Sequence, residues 1–350
     1  MKTIAVNASV PYEVIIGDQL MENAGTYIAR VCNPSACVII SDSNVFPLYG
    51  NTLADALKSS GYQVYTFVFS AGETSKNAKT YIEILEFLAF KKITRSDLLI
   101  ALGGGVVGDI TGFAAATYLR GIPYVQIPTT LLAMVDSSVG GKTAIDLQAG
   151  KNLVGAFYQP KVVLCDLRAL DSLSPAVFQD GCAEVIKYGM LYDPILFDHL
   201  AEHNVNFSRE YVIARCVELK ADVVCQDEFD RGERQKLNLG HTIGHGIEAA
   251  SSYRISHGQA VAAGMAIITK AACSIGECDF TVYQLLCGVL ERFCLPCSTD
   301  YSADTLFESA LSDKKRSGKT VNLIIPREVG NCVIMPTPIN RVHSIIEAGL

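Results

Sequence analysis

Several features that direct a chain to a particular environment are missing from this 350-residue sequence. No apolar run approaches the roughly 20 residues that a membrane-spanning helix needs. Residues 1–20 contain no basic stretch leading into an unbroken apolar core, so they do not resemble a signal peptide. Internal repeats and low-complexity tracts are also absent. We therefore expect a globular protein in the cytoplasm.

Positive charge is also in short supply. Twenty-nine lysines and arginines stand against 36 acidic residues, which gives a formal charge of −7 and argues against a nucleic-acid surface. Any site for an anion must therefore gather its cations locally. The hydrophobic content of 49% and the length of 350 residues suffice for two domains with cores of their own.

Cysteine, in contrast, is plentiful. Twelve cysteines in a chain without secretory features are more typical of reduced thiols than of a disulfide framework. Cys294 and Cys297 form a CxxC pair, which suits a redox pair or half of a zinc site. No second CxxC exists and no βαβ pattern surrounds the pair, so chance is the favoured interpretation.

The order of predicted elements indicates two domains. The first half alternates β-rich runs with amphipathic segments, which is typical of an α/β domain with a mostly parallel sheet. After Pro175 the pattern changes to long runs with a helical period. We predict an α/β domain over residues 1–172 and a mainly α-helical domain over 173–350. The predicted strands are 12–16, 36–40, 63–69, 97–102, 124–128 and 161–165, and the late extended runs are 321–326 and 331–336.

A glycine loop follows the buried strand at 97–102. Gly103, Gly105 and Gly108 match GxGxxG, in which backbone N–H groups and a helix N-terminus approach a pyrophosphate. The match departs from the usual form because it follows a late strand and has no acidic residue about 20 positions on. Asp42, which ends an earlier strand, replaces that residue. We predict a dinucleotide-binding domain of non-standard order.

Three of the six histidines fall between positions 241 and 257. His241 and His245 share a helical face, and His257 opens the next apolar helix. A catalytic zinc site takes three protein ligands, so a carboxylate such as Glu184 would complete a set. Two alternatives remain open: the histidines form a satisfied helix pair, or Glu184 pairs with Lys187, three residues on.

Cations within or beside apolar helices suggest an anionic substrate in so acidic a chain. Each of them alone is also compatible with an ordinary surface charge, most of all in the run of residues 314–316. The candidates are Lys142, Lys151, Lys187, Lys220, Arg234, Lys314 and Lys315.

Taken together, these segments resemble the 3-dehydroquinate synthase family nearly from end to end. The blocks include AGETSK (71–76), LGGGVVGD (102–109), SSVGGKTAID (137–146), AEVIKYG (183–189) and LNLGHTIGHGIE (237–248). Their number and order make the resemblance specific. One departure is Gln259, where the family commonly has Glu.

The resemblance implies a role for each matching position. It assigns the metal ligands to Glu184, His241 and His257, and it makes His245 a substrate-contacting residue that handles protons. It also implies that Arg120 contributes to the neighbouring subunit's site, and hence a homodimer. The implied NAD contacts are Asp42, Asn44, Glu73, Lys76, Gly104, Gly105, Val106, Asp109, Thr129, Thr130, Leu132, Asp136, Lys142, Lys151 and Ser172. The implied substrate contacts are Lys142, Lys151, Asn152, Lys187, Lys220, Arg234, Asn238, His245 and one or both of Lys314 and Lys315.

The implied activity is conversion of a heptulosonate phosphate to 3-dehydroquinate, with NAD and Zn²⁺ or Co²⁺. Lys220 and Arg234 would pair with the substrate carboxylate. Three other functions are considered: a different sugar phosphate cyclase, a metal-dependent polyol dehydrogenase and a non-catalytic NAD-binding regulator. Valiolone and inosose cyclases act on substrates without a carboxylate, which the Lys220 and Arg234 assignment disfavours.

Overall fold

The computed structural model describes residues 1–314 and 320–350, and the side chains of 1–309 and 320–350. The chain divides into two compact units. The first contains Met1–Leu173 and Arg209–Phe229, and the second contains Ser174–Ser208 and Asp230–Leu350. Among the described residues, no helix combines the length and apolar character that crossing a membrane requires.

Strands and helices are labelled in chain order. The strands are β1 (Lys2–Val6), β2 (Tyr12–Gly17), β3 (Ala36–Asp42), β4 (Gln63–Phe69), β5 (Leu98–Gly103), β6 (Tyr124–Pro128), β7 (Lys142–Leu147), β8 (Gly150–Phe157), β9 (Val162–Asp166), β10 (Thr320–Glu328) and β11 (Asn331–Pro338). The helices are α1 (Ala24–Ile28), α2 (Asn51–Ser59), α3 (Ala78–Phe90), α4 (Gly105–Thr117), α5 (Pro175–Tyr192), α6 (Pro194–His203), α7 (Arg209–Gln226), α8 (His241–Ala250), α9 (His257–Ser274), α10 (Phe280–Arg292), α11 (Ala303–Lys314) and α12 (Ile339–Gly349).

The first unit is built on a sheet with the strand order β1-β2-β9-β6-β5-β3-β4. Only the β1–β2 pair is antiparallel among the pairs described in this sheet. Every residue of β5 is buried, as expected for a strand covered on both faces. Val38, Ile84, Leu99 and Ile110 belong to the core that packs α3 and α4 against the sheet.

The second unit is mainly helical, with the antiparallel hairpin β10–β11 beside the helices. Helix α9 is its most buried element, with Met265, Ile267 and neighbouring residues in the core. Helix α5 begins as its sequence predicts, since the Ser174 hydroxyl accepts the Val177 N–H (3.4 Å) and Pro175 occupies the first turn.

The predicted fold class is confirmed: an α/β unit with a mostly parallel sheet and a mainly helical unit. Some elements were not predicted from the sequence, among them strand β1 and the β7–β8 hairpin. Helix α8 begins at His241, after a 3₁₀ turn and Gly240, which adopts φ +77°. The predicted boundary after residue 172 stays a prediction about domains, although residues 209–229 pack with the first unit.

Candidate active site

In the first unit, three neighbouring parallel strands bring the predicted nucleotide residues to one sheet edge. Strand β3 ends at Asp42, β5 ends at Gly103 and β6 is followed by Thr129. The Thr129 N–H donates to the Gly103 carbonyl at 3.0 Å. The carboxyl ends of parallel strands are where α/β folds bind ligands. The strand order therefore assembles segments that lie far apart in the sequence.

The glycine loop runs directly into α4, with Gly104 at its N-cap. A Cβ on Gly104 would lie 3.1 Å from Cγ2 of Thr130, and one on Gly105 would lie 3.2 Å from Oγ of Ser137. The Thr129 hydroxyl is buried and has no hydrogen-bond partner within the described chain. Helix N–H groups, a crowded glycine turn and an unsatisfied hydroxyl fit the phosphates of a dinucleotide. Val106, half-buried, lies in the first turn of α4.

A buried lysine contacts residues of both α4 and β8 beside this edge. Nζ of Lys76 donates to Oδ2 of Asp109 and to Oδ1 of Asn152, each at 2.5 Å. Burial raises the pKa of Asp109, against the opposing effect of the Lys76 ammonium. Burial lowers the pKa of Lys76, but Asp109 and Glu73 outweigh it and the net shift is upward. The two residues therefore form an ion pair that links the segment carrying Lys76 to α4.

Asp146 belongs to this cluster and was not predicted from the sequence. Its N–H donates to the Lys76 carbonyl at 2.7 Å, and its Oδ1 accepts the Asn152 N–H at 2.8 Å. Asn152 adopts φ +57°, a region that this contact helps to hold. No local pattern marks Asp146, because its partners lie in a distant loop and across the β7–β8 hairpin.

Of the other lysines predicted in this unit, Lys151 and Lys220 lie close to acidic residues, and Lys142 lies in the β7–β8 hairpin. Nζ of Lys151 lies 3.8 Å from Oε1 of Glu73. Lys142 is exposed at the start of β7. The buried Lys220 ammonium on α7 contacts the Asp136 carboxylate and donates to the Asp136 carbonyl at 2.6 Å.

The remaining nucleotide predictions lie on loops of the same unit. The Asp42 carboxylate accepts the N–H groups of Asn44 (2.8 Å) and Val45 (2.9 Å), which shapes the turn after β3. Leu132 precedes the π-helical turn Ala133–Ser137, and Ser172 accepts the Tyr49 hydroxyl at 2.7 Å.

Arg120 is exposed at a corner where backbone strain is concentrated. It has φ +67° and follows Leu119, which has φ +51°. Non-glycine residues rarely adopt this region, and two in succession mark a turn that its surroundings hold in place.

In the second unit, close packing of α5, α8 and α9 positions the histidines. A Cβ on Gly264 of α9 would lie 2.2 Å from the Gly240 carbonyl oxygen, just before α8. A Cβ on Gly258 would lie 2.0 Å from the Asp180 carbonyl oxygen on α5. Only glycine permits such approaches. Helix α9 therefore packs against α5 at its first turn, beside His257, and against the start of α8, beside His241, further along the helix.

The acidic ligand candidate meets both histidines there. Oε1 of Glu184 lies 3.5 Å from Nε2 of His241 and 3.4 Å from Nε2 of His257. One ligand atom from each of these residues lies within 4.8 Å of the others. The other Glu184 oxygen contacts the Lys187 ammonium. Both pairings considered for Glu184 from the sequence thus occur together.

The second ring nitrogens of the two histidines also have partners. Nδ1 of His241 lies 3.1 Å from the Leu239 carbonyl, which can only accept, so Nε2 is left with its lone pair. Nδ1 of His257 lies 3.4 Å from Oε2 of Glu248, a buried carboxylate that the sequence prediction missed. Such partners orient metal-binding histidines. The signal available was Glu248 itself, seven positions after His241 on the same helix.

Burial and the neighbouring charges shift the pKa values of His241 and His257 in opposite directions. Burial, followed by the nearby Lys187 charge, puts the pKa of His241 well below its usual value. Burial also lowers the pKa of His257, but hydrogen bonds to Glu184 and Glu248 raise it to about 10. Two imidazoles and a buried carboxylate are a donor set that suits Zn²⁺ or Co²⁺.

The other predicted residues of this unit differ in their exposure. His245 is exposed, with its ring centroid 5.5 Å from that of His241, and it groups with Glu248 and His257 in a second possible ligand set. Arg234 is almost completely buried, whereas Asn238 is exposed. Lys314 and Lys315 lie outside the residues whose side chains are described.

Comparison with known proteins identifies relatives over nearly the whole chain. Two family profiles match: 3-dehydroquinate synthase N-terminal over residues 66–180 and 3-dehydroquinate synthase C-terminal over residues 181–316. The 3-dehydroquinate synthase of Clostridium acetobutylicum is 45% identical, over 95% of this chain and 96% of the relative. The enzyme of that name from Streptococcus pneumoniae is 40% identical, over 96% and 97%.

Solved structures share the fold. A 2-deoxy-scyllo-inosose synthase complexed with carbaglucose-6-phosphate, NAD⁺ and Co²⁺ has a TM-score of 0.89 at 27% identity, with all of both chains covered. A 2-epi-5-epi-valiolone synthase from Streptomyces hygroscopicus with NAD⁺ and Zn²⁺ has a TM-score of 0.88 at 27% identity, with 97% of each chain covered. Glycerol dehydrogenase from Schizosaccharomyces pombe, at 15% identity and a TM-score of 0.63, shares the fold alone.

The fold is therefore that of the sugar phosphate cyclases. Within that class, the chain belongs to the 3-dehydroquinate synthase family, and this prediction from the sequence is confirmed.

Proposed function

We propose that this enzyme converts 3-deoxy-D-arabino-heptulosonate 7-phosphate to 3-dehydroquinate and phosphate, as a phosphate-eliminating lyase. The observation that carries the proposal is 45% identity over nearly full length to a 3-dehydroquinate synthase. The grouping of Glu184, His241 and His257 supports it, because the reaction needs a polarised substrate hydroxyl.

We assign the nicotinamide cofactor to the first unit. The glycine turn before α4 and the unsatisfied Thr129 hydroxyl support this assignment, as do the NAD⁺ complexes of the two solved cyclases. Bound NAD supplies a hydride acceptor and then a hydride donor, so it is unchanged over one turnover. Asp42, at the end of β3, suits the ribose and disfavours a 2′-phosphate.

We assign the divalent metal to Glu184, His241 and His257 in the second unit. His241 has its Nε2 lone pair available, and the Glu184 carboxylate brings negative charge to a buried position. A divalent cation held by these residues would lower the pKa of the substrate hydroxyls. The Leu239 carbonyl and the Glu248 carboxylate orient the two imidazoles.

The cationic and amide side chains have two tasks in this proposal. One group holds the phosphate through charge-assisted hydrogen bonds, and the other holds the carboxylate. After oxidation at C5 acidifies the adjacent C–H bond, the substrate's own phosphate accepts that proton and leaves by β-elimination. The residues that we assign to the phosphate are Lys142, Lys151, Asn152, Lys187, Asn238 and His245. The residues that we assign to the carboxylate are Lys220 and Arg234.

Other activities on this fold are disfavoured. The solved inosose and valiolone synthases are each 27% identical to the chain, against 45% for the Clostridium acetobutylicum 3-dehydroquinate synthase. A polyol dehydrogenase would release NADH and need no phosphate-binding lysines. A non-catalytic NAD-binding protein would need neither the metal cluster nor the lysines.

The test is product analysis with purified protein, the heptulosonate phosphate, Zn²⁺ or Co²⁺ and substoichiometric NAD. We expect equal amounts of phosphate and dehydroquinate over many turnovers, without accumulation of NADH. His257→Ala should abolish turnover and reduce bound metal well below one ion per chain, whereas the matched change His343→Ala on α12 should not. NADH released in proportion to product would instead identify a dehydrogenase.

We also propose a cytoplasmic homodimer, in which Arg120 of each chain contributes to the site of the other. The exposed, strained corner at Leu119 and Arg120 supports this part of the proposal.

A further inference from the structure

Two thiols contact each other at the C-terminal end of α9, away from the proposed metal ligands. Sγ of Cys273 lies 2.8 Å from Sγ of Cys278, and both residues are half-buried. A disulfide bond is about 2.05 Å long, so the sulfur atoms must approach by only roughly 0.8 Å.

The backbone after α9 holds the two cysteines in this position. The Gly276 N–H donates to the Cys273 carbonyl at 3.1 Å, and the Glu277 N–H donates to the Ala272 carbonyl at 2.8 Å. Gly276 adopts φ +79°, as in the turns that commonly end helices. The chain therefore reverses direction and returns Cys278 to the last turn of α9.

The neighbours of the two thiols are backbone carbonyls. Sγ of Cys273 lies 3.3 Å from the Asp279 carbonyl, and Sγ of Cys278 lies 3.7 Å from the Thr269 carbonyl. Asp279 also caps α10, since its carboxylate accepts the Thr281 N–H at 2.9 Å. The cysteines are thus fixed between two helix ends while remaining partly accessible to a small oxidant.

We propose that Cys273 and Cys278 form a reversible dithiol–disulfide site that low-molecular-weight disulfides, such as glutathione disulfide, oxidise. No residue of this site is used by the proposed reaction, and the inference does not depend on the proposed function.

The exchange proceeds in two balanced steps. The Cys273 thiolate attacks one sulfur of glutathione disulfide and releases one glutathione, leaving a mixed disulfide. Cys278 then loses its proton to solvent and attacks the Cys273 sulfur, which releases the second glutathione. Burial and the contact with Cys273 raise the pKa of Cys278 to about 12, so Cys278 is the second thiol to react.

The two cysteines lie far from Glu184, His241 and His257, the residues proposed to bind the metal. His257 begins α9 and Cys273 lies 16 residues later on the same helix, which corresponds to about 24 Å along its axis. Oxidation should therefore leave the bound metal in place. This expectation distinguishes the disulfide from oxidation that disrupts the fold.

The experiment equilibrates the folded, metal-loaded protein in glutathione redox buffers and then alkylates the remaining thiols. The tryptic peptide 271–292 contains Cys273, Cys278 and Cys287, so its mass and fragments show which pair has lost two hydrogens. The same titration is repeated in urea and with Cys273→Ser and Cys278→Ser. Cys225→Ser, a change at an exposed thiol on α7, is the matched control.

We expect a Cys273–Cys278 disulfide in the wild type and the control, with unchanged metal content. In the folded protein it should form at a disulfide-to-thiol ratio at least about tenfold lower than in urea, because the turn holds the thiols together. Each of the two serine variants should give only a mixed glutathione disulfide. Cysteines that stay alkylatable, glutathionylation of both, pairing with Cys287 or equal oxidation in urea would each overturn the proposal.

Discussion

At the scale of single residues, Glu248 tests the proposed metal assignment, in which it orients His257 and is not itself a ligand. Its carboxylate lies 3.4 Å from Nδ1 of His257. We predict that Glu248→Gln, which keeps the size but removes the charge, lowers zinc affinity by about 10- to 100-fold. Competition with a chromophoric chelator measures this change without any assay of turnover.

The matched control is Glu291→Gln, which changes an exposed carboxylate on α10. Its zinc affinity should equal that of the wild type. Equal affinities in all three proteins would show that Glu248 does not orient His257.

Cys287 gives a pH-dependent prediction at the same scale. Its hydrogen bond from Cys297 lowers the pKa of Cys287 from 9.0 to about 7, against the opposing effect of burial. Below this pH the thiol is protonated, and above it the reactive thiolate dominates. The rate of alkylation by iodoacetamide, followed at Cys287 by mass spectrometry, should therefore rise to a plateau with a midpoint near 7.

Removing the donor supplies the control. Cys297→Ala should move the midpoint upward, because the thiolate loses the hydrogen bond that stabilises it. An unchanged midpoint would mean that another group sets the acidity of Cys287.

Arg234 tests which cyclase reaction the enzyme performs. If Arg234 binds the substrate carboxylate with both ends of its guanidinium group, Arg234→Lys keeps the charge but loses that geometry. A charge-assisted hydrogen bond contributes roughly 1.5–3 kcal/mol, so kcat/KM should fall by about 10- to 150-fold. The loss should shrink for a substrate analogue that lacks the carboxylate. Equal losses with both compounds would indicate a structural role.

The histidines show what residue spacing alone can and cannot predict. The spacing of His241 and His245 predicts a shared helical face, but it does not predict that Glu184, 57 positions earlier, is the partner of His241. That contact depends on which helices meet. The resemblance to a family supplied the triad. Glu248 and Asp146 end two of the matching blocks, but their roles were missed because those roles depend on contacts with residues elsewhere in the chain.

At the scale of elements, the crossing of α8 and α9 depends on Gly264. Its Cβ would lie 2.2 Å from the Gly240 carbonyl, a backbone atom that cannot rotate away. We predict that Gly264→Ala lowers the free energy of unfolding by about 1–3 kcal/mol through overpacking. It should also weaken zinc binding, because it separates the helices that carry His241 and His257.

Gly288→Ala is the matched control, since Gly288 lies within α10 and a Cβ there has open space around it. Alanine should stabilise this exposed helical position by about 1 kcal/mol. Urea denaturation measures both variants. Similar shifts in both would mean that helix propensity, rather than the crossing, controls stability at Gly264.

The β7–β8 hairpin shows why an element can escape prediction. Strand β8 (Gly150–Phe157) contains Gly150, Lys151, Asn152 and Gly155, and each of its residues is exposed or half-buried. Glycine, lysine and asparagine are depleted in strands, so the segment favours an assignment as a loop. Its strand conformation follows from pairing with β7, from the close approach at Gly155 and from the contacts of Asp146.

At the scale of the whole molecule, the sequence predicts that there are two units. It does not predict that the chain returns to the first unit at residues 209–229. Helix α7 has the same helical period as the helices before and after it, yet it packs with the first unit. Its contacts include Glu210 with the N-terminal amine of Met1 (3.1 Å) and Glu228, just after the helix, with the N–H of Ser9 (2.7 Å). These pairs are more than 200 positions apart, so no local pattern reports them.

Arg120 gives the prediction that belongs to the assembled protein. If Arg120 of the partner subunit completes each site, Arg120→Ala and His257→Ala should each abolish activity in their own homodimers. In a mixed dimer, the site with an intact metal-binding set belongs to the Arg120→Ala chain, and it receives Arg120 from the His257→Ala chain. One of the two sites is then complete.

Random reassociation of equal amounts of the two variants makes about half of the dimers mixed, so phosphate release should recover to about a quarter of the wild-type rate. A mixture of Lys187→Ala with His257→Ala is the matched control. Both of those defects lie in the chain's own site, and mixing leaves no complete site. Recovery in the first mixture alone would support the shared site. A first mixture as inactive as the control would instead show that Arg120 acts within its own chain.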